Sequence, residues 1–69
     1  MSRLIYLGRN IKKYRLKKGF SQNQLAELVN LSREHLASIE TGKAYISFRK
    51  LFLISDVLKV PVKDFVNFD

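Results

Sequence analysis

Residues 22–41, Gln-Asn-Gln-Leu-Ala-Glu-Leu-Val-Asn-Leu-Ser-Arg-Glu-His-Leu-Ala-Ser-Ile-Glu-Thr, decide the fold of this chain. Leu25, Ala26 and Val29, then Leu36 and Ile39, recur at helical rather than strand spacing. Between the two sets lies the short link Asn30-Leu31-Ser32. Asn30 tolerates a left-handed backbone better than most residues, so a tight turn fits there. Ser32 is a good cap for the helix that follows. So short a link sets two helices at a steep angle rather than antiparallel. The crossing needs a small residue where the helices touch, and Ala26 supplies it. Leu25, Val29, Leu31, Leu36 and Ile39 then form the apolar wedge between them. The pattern is that of a helix-turn-helix.

Working outward, Ser21 and Gln24 match a capping box at the start of the first of these helices. Before it, Leu7, Ile11 and Tyr14 form one stripe of a helix expected from about Tyr6 to Lys18. Arg9, Lys12, Lys13 and Lys17 fall on its opposite side, and Gly19 supplies the left-handed residue that closes it. Gly42 ends the second helix of the pair. A fourth helix is expected after Ser47 to about Lys59, with Phe48, Leu51, Phe52, Ile54, Ser55 and Leu58 at helical spacing. Pro61 suits the first position of a short fifth helix, because its missing N–H is not needed there. Phe65 is expected to pack back on the core. The fold expected is all-α, a compact bundle of five short helices forming a single domain over residues 1–69.

The chain has 69 residues, a net charge of +7, no cysteine and one histidine, His35. A disulfide framework is excluded, and no metal site is expected from a lone histidine. The longest apolar runs are four residues, Leu4–Leu7 and Leu51–Ile54, too short for a membrane span or a signal peptide. No nucleophile–base pair, glycine-rich phosphate loop or carboxylate pair stands out, so neither enzyme nor cofactor chemistry is expected, and no small-molecule ligand. The charge is uneven. Residues 1–20 carry Arg3, Arg9, Lys12, Lys13, Arg15, Lys17 and Lys18 with no acid, whereas the remainder is close to balanced. Such a segment suits a polyanion, a membrane surface, or merely a solvated face. The membrane reading explains only the first helix and leaves the caps and turn of the next two unaccounted for.

Leu36 and Ile39 point inward, so the outer side of the third helix holds Arg33, Glu34, Ala37, Ser38 and Thr41 at about 100° per residue. This face is free to enter a DNA major groove. Its N-terminal end goes deepest, which favours Arg33 and Glu34. Arg33 suits the two acceptors of guanine, Glu34 the amino group of cytosine, and Ala37 a thymine methyl, with Ser38 on a base or phosphate. Glu34 equally suits the first turn of a helix for its charge alone. Phosphate contacts fall to Gln22, at the start of the second helix, and to Ser32, Lys43, Tyr45 and Ser47. His35 projects sideways, toward a phosphate or into packing.

The chain resembles the lambda-repressor-like family of helix-turn-helix domains, also called the XRE family, over nearly its whole length. Residues 8–19 look like the family's first helix. Ser21-Gln22-Asn23-Gln24-Leu25-Ala26 looks like its "SQ..LA" signature, Ile39-Glu40-Thr41-Gly42-Lys43 like its "IE.GK" segment, and Leu51 to Phe65 like its "L..I...L.V....F" tail. Asn30 stands where glycine is usual, and Ile46 where proline often stands. The resemblance implies a lambda-repressor-like DNA-binding fold in which Gln22 holds a phosphate. It also implies that Arg15 and Glu40 form a partly buried ion pair of structural rather than DNA-contacting role.

The function expected is a sequence-specific regulator of transcription on double-stranded DNA. It would be a cytoplasmic, nucleoid-associated repressor of bacterial or phage origin, acting as a homodimer on half-sites about one helical turn apart. Phe65, Val66, Phe68 and Phe52 are candidates for the dimer surface, unless they simply complete the core. The alternative is a protein-interaction module, antitoxin-like or anti-repressor, built on the same fold.

Overall fold

A computed structural model describes residues 3–67. Its helices are α1 (Arg3–Lys17), α2 (Gln22–Leu28), α3 (Arg33–Glu40), α4 (Phe48–Leu58) and α5 (Val62–Phe65). Three start on a serine cap. The Ser21 hydroxyl accepts from the Gln24 amide at 3.0 Å, while the Gln24 side chain accepts from the Ser21 amide at 2.8 Å, completing the capping box. Ser32 caps α3 through the His35 amide at 3.0 Å, and Ser47 caps α4 through the Lys50 amide at 3.2 Å.

Four helices end alike. Just beyond each, an amide turns back to a carbonyl five residues earlier: Phe20 to Arg15, Leu31 to Ala26, Lys43 to Ser38 and Val60 to Ser55, at 2.8–3.1 Å. Each closure needs a left-handed residue just before that amide. Gly19, Asn30, Gly42 and Lys59 supply it, with φ of 83°, 57°, 76° and 58°. Gly19 and Gly42 adopt it freely, and Asn30 at small cost. Lys59 has no such excuse. A left-handed L-residue costs about 1–2 kcal/mol, which the packing on either side offsets.

Ile11, Leu25, Val29, Leu36, Ile39, Ile54, Leu58 and Phe65 are fully buried and form the centre of one core. Burial of each large apolar side chain contributes about 1.5–3 kcal/mol. α3 packs against α1 and α2, α4 against α2, and α5 against both α1 and α4. Tyr14 meets Phe65 edge to face with centroids 5.5 Å apart. Asn10 donates to the Phe65 and Asn67 carbonyls at 2.8 and 3.1 Å, tying the end of α5 to α1.

Several boundaries differ from expectation. α1 begins at Arg3, three residues before Tyr6, because its first turn lies under the end of α3: a Cβ on Gly42 would meet Ile5 Cγ1 at 2.6 Å. α4 stops at Leu58, with Lys59 already left-handed. Pro61 caps α5 from outside rather than opening it. Phe48 and Phe52, placed at helical spacing with the core residues of α4, face outward and are 77% and 55% exposed.

Candidate nucleic-acid interface

The Ser32 cap fixes where α3 starts, and burial of Leu36, Ile39 and Glu40 fixes how it is rotated. Arg33, Glu34 and His35 are consequently exposed in its first turn, and Ala37 and Ser38 follow half-buried on the outer side. Arg33 Nη2 lies 3.7 Å from Glu34 Oε2. Both side chains are solvated, so this contact is weak and easily exchanged for a base edge. Thr41, also on the outer side, is turned back: its hydroxyl donates to the Ala37 and Ser38 carbonyls at 3.0 and 3.2 Å.

Ser32 and Ser47 each accept a backbone amide as caps, which leaves the hydroxyl proton of each to donate. Lys43 and Tyr45 are exposed in the segment between α3 and α4, and the Lys43 amide closes α3. Lys50 is a residue that sequence reasoning missed. Its ammonium donates to the Val29 and Asn30 carbonyls at 2.8 and 3.2 Å, which seats the first turn of α4 beside the α2–α3 turn. The cation meets the carbonyl end of α2, where positive charge is favoured.

Arg15, Gln22 and Glu40 come together from three helices. Arg15 Nε donates to Glu40 Oε2 at 2.7 Å and Nη2 to Oε1 at 3.1 Å. Arg15 is 5% exposed and Glu40 is 3% exposed. Arg15 Nη1 also reaches the Phe20 carbonyl at 2.8 Å. Gln22 Nε2 then donates to Glu40 Oε1 at 2.9 Å. Nothing in the sequence pairs Gln22 with Glu40, because the contact exists only once α2 and α3 have crossed. Behind the network, Gly8 lets α1 approach α3: a Cβ there would sit 2.2 Å from the Ile39 carbonyl oxygen. The signal was a glycine on the buried stripe with Ile11 and Arg15, at i, i+3 and i+7.

The cations of α1 lie elsewhere. Its Gly8–Ile11–Arg15 side is buried, whereas Arg9, Lys12, Lys13 and Lys17 are exposed. Lys13 and Lys17 lie over the Tyr14 ring, 5.2 and 6.0 Å from its centroid, and Arg9 lies 5.9 Å from that of Tyr6. Among the candidates for a dimer surface, Phe65 must be withdrawn, because it is fully buried in the core of its own chain. Val66 and Phe52 remain exposed, and Phe68 lies outside the described residues. Among the described residues no His, Cys, Asp or Glu side chains group as a metal site, and no helix is long and apolar enough to cross a membrane.

Residues 11–65 match the helix-turn-helix family model HTH_3. The HTH-type transcriptional regulator SinR of Bacillus licheniformis is 37% identical over 62 residues, which are 88% of this chain and 56% of the relative. The chain thus spans little more than half of that relative's length. The restriction–modification controller protein C.AhdI of Aeromonas hydrophila superposes with a TM-score of 0.85 at 26% identity, covering 90% of this chain and 94% of the controller. SinR, the master regulator for biofilm formation, crystallised in complex with DNA, superposes with a TM-score of 0.80 at 35% identity, covering 88% of this chain and 98% of that one.

Proposed function

The chain belongs to the lambda-repressor-like (XRE) helix-turn-helix family, and from that premise we propose that it is a sequence-specific regulator of transcription on double-stranded DNA. α3 enters the major groove, with Arg33, Glu34, Ala37 and Ser38 facing base edges. Gln22, Ser32, Lys43, Tyr45 and Ser47 hold the flanking phosphates. The chain acts as one domain, as a repressor, and as a homodimer on half-sites about one helical turn apart.

The observation that carries this proposal is the rotation of α3. Burial of Leu36, Ile39 and Glu40 leaves Arg33 and Glu34 exposed at its N-terminal turn, where the side chains of such a helix reach deepest. A single acid on that face favours readout of bases over general adhesion to phosphate. The crystallised SinR–DNA complex supports DNA as the partner.

Selection from a random pool of duplex DNA tests the proposal. The wild type enriches one motif with two related half-sites. Arg33→Ala lowers affinity and flattens preference at one base position per half-site, a loss of about 1–3 kcal/mol of discrimination. An unchanged motif with Arg33→Ala would refute the assignment of α3. No enrichment by the wild type would refute the proposal as a whole.

A further inference from the structure

We propose that Glu40 is a positioning residue for DNA binding: it fixes which end of the Gln22 side-chain amide is offered to a phosphate. The inference rests on the proposed role of Gln22 as a phosphate contact. It concerns how that contact is made, and it gives the buried Arg15–Glu40 pair a part in affinity beyond its part in the core.

The chemistry of the three groups leads there. An ionised carboxylate only accepts hydrogen bonds, and a guanidinium only donates. Arg15 spends Nε and Nη2 on the two oxygens of Glu40, which holds that carboxylate in one orientation. The remaining capacity of Oε1 takes Gln22 Nε2 at 2.9 Å. A glutamine amide has two nearly isosteric ends, and in free solution either faces a given neighbour. Against Glu40 only the nitrogen end is accepted, because the oxygen end would set two acceptors against each other. The flip state of Gln22 is thereby set by a residue of α3.

The consequence is a defined outward face. With one Nε2 hydrogen committed to Glu40, the second remains for an anion. Gln22 is only half-buried, so its side chain keeps contact with solvent, and the inference assigns the second hydrogen to a docked backbone. Glu40 closes the C-terminal end of α3, and Arg15 anchors it to α1 while also holding the Phe20 carbonyl just before α2. The donor offered to a phosphate is therefore registered to the helix that meets the bases. Loss of Glu40 removes this selection, because the amide of a glutamine at position 40 can pair with either end of Gln22.

A double-mutant cycle on DNA affinity separates this role from a structural one. Proteins are compared well below their melting temperatures on the selected operator. Gln22→Ala weakens wild-type binding about tenfold per half-site, the size of one lost hydrogen bond to a charged group. In the Glu40→Gln background the same substitution weakens binding about twofold or less. Lys43→Ala is the uncoupled control and costs the same factor in both backgrounds. Equal effects of Gln22→Ala in both backgrounds would overturn the inference.

A second measurement needs no variant that endangers the fold. In the NMR spectrum of the wild type, one Gln22 side-chain amide proton exchanges slowly with water and is indifferent to DNA, while its geminal partner shifts on titration with operator. Two protons that both exchange fast with water, or a protected proton whose geminal partner is unmoved by operator, would overturn the inference. A wild type that selects no DNA motif fails the proposed function instead. A wild type that binds, with Lys43→Ala weakened and Gln22→Ala additive, fails only the positioning role.

Discussion

At the scale of single residues, the Arg15–Glu40 pair dominates the electrostatics of the interior. Both groups are almost wholly removed from water, and each is the other's principal partner. Charges taken out of water lose several kcal/mol of hydration each, and their mutual attraction with two parallel hydrogen bonds offsets it. Truncation of either partner strands the other. Arg15→Ala and Glu40→Ala should each destabilise the fold by about 3–5 kcal/mol. In a chain of this size that is most of the expected stability, so both should melt tens of degrees lower or be unfolded at room temperature, as read by circular dichroism. Melting temperatures near wild type for both variants would refute this account. The family resemblance implies the pairing of Arg15 with Glu40. The sequence marks the third member, Gln22, only as a phosphate contact, because a half-buried glutamine at a helix start looks the same in sequence whether or not a carboxylate from another helix awaits it.

At the scale of elements, what was legible followed from local chemistry. The serines at positions 21, 32 and 47 and the glycines at 19 and 42 marked helix starts and ends, because caps and left-handed turns depend on a few adjacent residues. What escaped depends on neighbours distant in the chain. Gly8, in the middle of α1, looks in sequence like a weak point in a helix, since glycine costs about 1 kcal/mol there relative to alanine. The structure reverses that sign. Gly8→Ala drives a Cβ to 2.2 Å from the Ile39 carbonyl oxygen, with the Glu40 carbonyl close behind at 2.7 Å. Both are backbone atoms of α3, so α1 and α3 must separate. A loss of about 1–3 kcal/mol should outweigh the gain in helix propensity, as measured by urea denaturation. Lys59 is the opposite case. Nothing about a lysine announces a left-handed residue, and the turn is imposed by Val60 and Phe65, which are buried on the far side. Lys59→Gly relieves the strain but adds freedom to the unfolded chain. A net stabilisation of about 0.5–1 kcal/mol is expected, and a destabilisation would show that the lysine side chain contributes packing that offsets its backbone cost.

At the scale of the whole molecule, the net charge of +7 and the proposed reading face are largely separate. The exposed cations of α1 lie opposite the side that packs on α3, whereas Lys43 lies three residues beyond the end of α3. A phosphate contact releases a condensed counterion, and a distant charge does not, so the two kinds of cation differ in the salt dependence they produce. For the proposed dimer, each Lys43 contact adds about 0.9 to the slope of log affinity against log salt. Lys43→Ala should weaken binding to all sequences alike and lower the magnitude of that slope by about 2, one contact from each protomer. The double substitution Lys12→Ala, Lys13→Ala should slow association at low salt while leaving the slope within experimental error. The same measurement bears on assembly, because a lone protomer would lose only about 1 from the slope. Among the described residues, Phe52, 55% exposed on α4, is the aromatic dimer candidate that the core does not claim. Phe52→Asp should convert a sedimenting dimer at micromolar concentration into a monomer, and should reduce the Lys43→Ala change in slope to that of one contact. A wild type that sediments strictly as a monomer, and whose slope changes by only one contact on loss of Lys43, would refute the dimer while leaving the assignment of α3 intact.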